Sequence, residues 1–311
     1  MKNETTEKAV SGTNKKKKGI NVLLIVLIVI AAGVFCFAGF KLVTILIDYN
    51  QSADAYKHVR EAVHGSGENK YARPAPDAED FEPIEHVLPD GMKFEYEDEY
   101  DEGMVYDYDA LHAINPDIIG YIKARGPGNI VDYPIVQCDD NDFYIDHMFD
   151  GTENHAGAIF MDYKARRRFN SFDCIIYGHN MRSGSRMFGY LKQYENETYF
   201  KEHLEYDIYT PYSHYVYRVV AAYVTDIFQL TYTTPLIHEF MDLTPDERVA
   251  EMKKVAEEAI SLSKYKTDFD VNEINEKTRM ITLSTCHAID LSDPSRYVVL
   301  LVRDRVVIPR P

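Results

Sequence analysis

The chain has 311 residues, 45% of them hydrophobic, with 24 tyrosines and no tryptophan. That composition excludes a disordered chain and suits a strand-rich fold, in which tyrosine rings pack inside and hydroxyls reach a polar rim. The net charge of −16 is unevenly spread: residues 1–19 carry six lysines against two glutamates, or +4, which leaves −20 on the remainder. So acidic a body argues against nucleic acid as a partner.

In chain order, Lys15 to Lys18 precede an unbroken run of apolar residues and glycine from Val22 to Phe40, 19 residues long. A bilayer-crossing helix needs ~20. Lys41 interrupts and Leu42 to Ile47 continue the apolar character. A cleaved signal peptide carries a shorter apolar region of ~7–15 residues and a small-x-small site after it. Neither description fits, so the expectation is a basic tail over 1–19 and an uncleaved single-pass anchor over 20–47. The basic flank predicts a cytoplasmic N-terminus and an extracellular bulk. Cys36 follows Gly33-Val34-Phe35, which is not a lipoprotein box.

Residues 48–108 read as a helix followed by an acidic spacer. Ala53, Tyr56, Val59 and Val63 recur at helical spacing and Gly65 is a stop. Pro74, Pro76, Pro83 and Pro89 then punctuate the chain, and Asp77 to Asp109 holds 14 acidic residues. A solvated linker accounts for that charge.

From Asp109 to the end, short β-branched and aromatic segments recur between turn signals. Candidate strands are Ile130–Gln137, Gly157–Asp162, Phe172–Tyr177, Tyr206–Thr210, Tyr215–Phe228, Arg279–Cys286 and Arg296–Val307. Both faces of Tyr215–Val224 are largely apolar, which predicts a central strand. This many strands in one stretch suggest a barrel or sandwich over 109–311. One segment breaks the pattern. Thr244-Pro245-Asp246-Glu247 is a capping box with proline at the first helical position, and Val249, Met252, Ala256, Ala259 and Ser263 follow on one face.

The four cysteines are Cys36, Cys138, Cys174 and Cys286. They form neither a disulfide framework nor a zinc-ligand spacing, so no metal and no cofactor is expected. Cys286 closes a strand-like run, Cys174 lies inside an apolar strand, and Cys138 ends one without a partner motif. Alternation puts Thr282, Ser284 and Cys286 on one strand face. His179, in Tyr177-Gly178-His179-Asn180, follows an apolar run, and Gly178 permits a sharp turn there. His287 adjoins Cys286 but points to the opposite strand face, which makes it a poor base. Arg296 opens the last strand, ten residues after Cys286. A thiol, an imidazole and a guanidinium supply a nucleophile, a proton carrier and an oxyanion partner.

Thr282-Leu283-Ser284-Thr285-Cys286, Arg296-Tyr297-Val298-Val299 and Tyr177-Gly178-His179-Asn180-Met181 together resemble the sortases, and within them class B. Ile114-Asn115-Pro116-Asp117, Asp132 to Gln137, Asp140 to Tyr144 and Gly157 to Phe160 extend the resemblance from about residue 109 to the end. Tyr121 stands where the family pattern has tryptophan. The resemblance implies a mainly β fold: a closed barrel of about eight strands with peripheral helices, preceded by a transmembrane helix. It implies a membrane-bound cysteine transpeptidase of a Gram-positive cell surface. Such an enzyme cuts a C-terminal sorting signal of a secreted protein after its threonine and joins the protein to a peptidoglycan amine. Cys286, His179 and Arg296 carry the catalytic roles, and Asn141, Tyr177, Ser284 and Thr285 are substrate-site neighbours. A pilin-polymerising class B sortase is the nearest alternative. A cell-wall cysteine peptidase is another, although in papain-like enzymes the cysteine precedes the histidine, and here His179 comes first.

Overall fold

The computed structural model describes residues 14–63, 70, 93–96, 105–128, 131–181, 187–226, 243–286 and 295–308, with backbone alone at 14–21, 96, 226 and 286. The chain forms two compact units, Met1–Asn50 and Gln51–Pro311. Helix α1 spans Asn14–Val63. Its Val22–Val63 part is long and apolar enough to cross a membrane. From Val22 to Val43 every side chain is exposed, whichever face it lies on. A helix that is apolar all round and has no protein to bury it suits lipid.

In the second unit the strands are β1 (Lys93–Tyr96), β2 (Ile118–Ala124), β3 (Asp132–Val136), β4 (Ile159–Met161), β5 (Asp173–His179), β6 (Glu205–Tyr209), β7 (His214–Asp226), β8 (Met280–Cys286) and β9 (Ser295–Ile308). Eight of them run in the order β9-β7-β6-β2-β3-β4-β5-β8, and β8 pairs back onto β9. The barrel is therefore closed, and closure removes the free sheet edges that would otherwise invite aggregation. Ile122, Ile135, Ile159, Ile176, Leu283, Val299 and Leu301 are buried in it. β7 lies between β6 and β9, and Val216, Tyr217, Val219 and Val220 are buried from both of its faces, as its sequence predicts.

All seven expected strands form within the described residues, though Ile130 and the Ile227–Phe228 end lie outside them. Two strands were not foreseen. β2 is buried at every position, Lys123 included, so it shows no alternation to read. β1 falls inside the acidic stretch expected as a spacer, yet it pairs in parallel with Arg305–Ile308 of β9. Its Glu95 accepts hydrogen bonds from Arg125 at 3.0 Å and Arg305 at 2.7 Å. A carboxylate that reads as solvated in sequence is thus neutralised by distant arginines.

Among the described residues the unit also has three shorter α-helices: α2 (Tyr108–Ile114), α3 (Glu197–Glu202) and α4 (Pro245–Leu262). α4 begins at the expected capping box, with the Thr244 N–H donating to Glu247 at 2.8 Å and the Glu247 N–H donating back to Thr244. It packs Met252, Val255, Ala256 and Ala259 into a cluster with Val220 and Tyr223 of β7 and Val298 and Leu300 of β9. At its end the Ser263 hydroxyl donates to the Ala222 carbonyl at 3.0 Å. The C-terminal turns of α1 bury Tyr56, Val59 and Val63. Tyr56 meets the Tyr133 ring edge-on at 5.2 Å and donates to the Gly157 carbonyl at 3.1 Å.

Candidate active site

β5 and β8 are parallel neighbours whose register runs from Asp173↔Met280 to His179↔Cys286. Both strands end there, so the backbones of His179 and Cys286 are brought side by side at one end of the barrel. β8 and β9 are antiparallel, with Ser284 opposite Val298. Arg296 lies two residues before Val298 on β9, its backbone paired with Thr225 of β7. His287 lies outside the described residues.

β5 runs two residues further than its sequence suggests, so His179 is its last strand residue rather than part of a turn. Gly178 is there for closeness, since a Cβ would sit 2.4 Å from Ile159 and 2.8 Å from Phe188. The His179 ring is 2% exposed. Its Nε2 bonds the Ile145 carbonyl. A carbonyl only accepts, so Nε2 carries the proton and Nδ1 holds the free lone pair. Nδ1 has no hydrogen-bond partner among the described residues. Gly157 backs the ring: at φ +59°, a Cβ there would lie 2.6 Å from the Ile145 carbonyl and 2.7 Å from the imidazole. Sequence motif reading includes Gly157 but gives no sign of this packing. Arg296 is also buried, at 7% exposure, and its Nη1 donates to the Ser295 carbonyl at 3.2 Å.

The expected substrate-site residues fall into two groups. Asn141 and Tyr177 meet at one carboxylate, donating to Asp162 Oδ2 at 2.9 and 3.2 Å. Tyr177 pairs across the ladder with Ser284, two residues before the His179–Cys286 pair. Ser284 and Thr285 are both buried. Thr285 accepts the Tyr297 N–H at 3.0 Å. Its hydroxyl oxygen therefore helps lock β8 to β9 just before Cys286.

Residues 121–303 match the sortase domain family. Sortase B of Listeria monocytogenes is 30% identical over 191 residues, 61% of this chain and 70% of that protein. A Bacillus anthracis structure described as similar to sortase B superposes with a TM-score of 0.51 at 31% identity, covering 63% of this chain and 82% of that one. A Staphylococcus aureus sortase B–substrate complex gives a TM-score of 0.55 at 25% identity, covering 64% and 84%. The chain belongs to the sortase family. Its relatives are class B members, and it is a cysteine transpeptidase of that type. Sortases act on proteins that carry sorting signals and on cell-wall amines.

The electrostatics of this sortase separate its thiols and tune its imidazole. Burial pushes the Cys174 thiol up to about 12. Burial also raises Cys138, whose sulfur donates to the Asp140 carbonyl at 3.4 Å. Neither is an activated thiol, because the thiolate is the reactive form. Burial lowers the His179 pKa below 6.5, a shift that its bond to the Ile145 carbonyl opposes. The imidazole is thus neutral at neutral pH, with Nδ1 ready to take a proton.

Proposed function

We propose that this sortase cleaves a C-terminal sorting signal of a secreted protein after its threonine and transfers the protein to a peptidoglycan amine. The Cys286 sulfur attacks the threonine carbonyl carbon as its proton passes to His179 Nδ1. The tetrahedral oxyanion forms beside Arg296. The C–N bond then breaks, the departing amine takes the proton from His179, and a thioacyl enzyme remains. An incoming cell-wall amine gives a proton back to His179, attacks the thioester carbonyl and displaces the sulfur, which recovers the proton. Loss of one oxyanion donor typically costs ~10²–10³ in rate.

The observation that carries this reading is the parallel β5–β8 register, which pairs His179 with Cys286 where both strands end. The neutral imidazole, whose Nδ1 has no partner among the described residues, supports the proton-carrier role. Asn141, Tyr177 and Ser284 would line the path of the sorting signal, and the apolar helix over 20–47 would anchor the catalytic domain, 109–311, outside the membrane with 1–19 in the cytoplasm. The test is a panel of fluorogenic sorting-signal peptides offered to the full chain in detergent, with and without amine acceptors. Cleavage that rises with acceptor and yields an amide product is the expected result. Hydrolysis indifferent to every amine would instead indicate a peptidase. Protease added to intact protoplasts should digest the catalytic domain, and protection would reverse the topology.

A further inference from the structure

We propose that Asp162 is a positioning residue for the sorting-signal peptide, acting through Asn141 and Tyr177. This rests on the reading that Asn141 and Tyr177 line the substrate path. Asp162 follows β4 directly and is 7% exposed. Its backbone is fixed on both sides: its N–H donates to Ile175 at 2.9 Å, and its carbonyl accepts from Gln137 Nε2 at 2.7 Å. Its Oδ1 accepts the Lys164 N–H at 2.9 Å. Oδ2 remains for the two substrate-side donors, Asn141 Nδ2 and the Tyr177 hydroxyl.

The consequence for Asn141 is a fixed carboxamide. Its Oδ1 accepts the Tyr163 N–H at 3.0 Å while its Nδ2 donates to Asp162. Both ends of the amide are thereby assigned. The second Nδ2 hydrogen is left to donate, and the atom in an extended peptide that accepts it is a backbone carbonyl. Tyr177 is held similarly, at the ladder position two residues before His179. A carboxylate suits this role because it accepts from both groups and donates to neither. An asparagine at 162 would present an NH₂ group toward two donors, and one bond would be lost or inverted.

The decisive experiment compares Asp162→Asn with the unaltered full chain in detergent by two readouts. One is kcat/KM on the cleaved fluorogenic peptide. The other is the rate at which iodoacetamide alkylates Cys286, which needs no peptide. Loss of a hydrogen bond to a charged group predicts a fall of about tenfold or more in kcat/KM, expressed mainly in KM, with the alkylation rate unchanged. In a background already carrying Asn141→Ala and Tyr177→Phe, Asp162→Asn should have no further effect, since residues acting as a unit are not additive. Unchanged kcat/KM in Asp162→Asn overturns the proposal. An equal fall in alkylation, or a further loss in the doubly substituted background, also overturns it, because Asp162 would then act on the fold or on the thiol. Failure of the underlying reading is a separate outcome: it shows as a chain carrying Asn141→Ala and Tyr177→Phe whose kcat/KM on the peptide equals that of the unaltered chain.

Discussion

The two ends of the barrel are built on opposite electrostatic terms. Nine residues beyond Arg296 along β9, about 30 Å of strand, Arg305 belongs to a dense ion network. Arg125 donates to Asp207 at 2.6 Å and to Glu95 at 3.0 Å, Arg305 bonds Glu205 at 2.8 Å and Glu95 at 2.7 Å, and His214 meets Asp207 at 2.7 Å. Arginine bonds hold the Glu95 carboxyl below its usual range despite its partial burial, and His214 with Arg125 does the same for Asp207. At the other end His179 is nearly as buried as Asp207, and its Nδ1, like that of His214 in the network, has no partner among the described residues. Buried polar atoms are normally paired because an unmade bond costs free energy. What separates the two ends is charge: one neutralises buried carboxylates with arginines, and the other holds a buried imidazole against a backbone carbonyl.

The first way to break this comparison is to remove the thiol. Cys286→Ala is expected to abolish peptide cleavage, while Cys138→Ala and Cys174→Ala keep most of it, read by fluorogenic peptide turnover. His179→Ala should also abolish turnover, and Arg296→Lys should be severely impaired because lysine lacks the planar fork that can hold two acceptors. His287→Ala should be mild. A loss in His287→Ala equal to that in His179→Ala would move the proton-carrier role.

Gly157→Ala sharpens the comparison without touching a reacting atom. Its Cβ would collide with the Ile145 carbonyl and the imidazole, so turnover should fall by ~10²-fold, the scale of a roughly 1 Å misplacement, with the ion network intact. At the far end, Arg125→Met should leave Asp207 held by His214 and Glu95 by Arg305. Breaking a buried pair costs up to about 3–5 kcal/mol, read as a lowered melting temperature, and the activity of the folded fraction should be unchanged.

The smallest effects are pH-dependent. Burial raises the Asp173 carboxyl to about 7, opposed by hydrogen bonds from Thr282. Between the unfolded value of 3.8 and that raised value the folded state holds the extra proton, so stability falls as pH rises through this window. Asp173→Asn should therefore melt several degrees higher than the unaltered chain at pH ~8, with the advantage vanishing near pH ~4. For His179 the depressed pKa places the acid limb of kcat/KM below 6.5.

The residues proposed to carry the chemistry each stand in a short local pattern: Cys286 at a strand end, His179 after a glycine, Arg296 at a fixed step. Seven strands and α4 were legible for the same reason, through alternation and a capping box. β1 and Asp162 were not. Glu95 finds its partners 30 and 210 residues away, and Asp162 gathers Asn141 from 21 positions upstream. No local pattern encodes such pairings. For Thr285, alternation alone cannot tell a strand-locking hydroxyl from one facing a ligand.

The central claim is tested most directly by catching the thioacyl enzyme. The full chain, mixed with a cleavable sorting-signal peptide and no amine acceptor, would be digested under acid and mapped by mass spectrometry. The account predicts an adduct of the peptide's N-terminal fragment on Cys286 alone, released when an amine is added. An adduct on Cys138 or Cys174, or rapid cleavage by a Cys286→Ala chain, would contradict it.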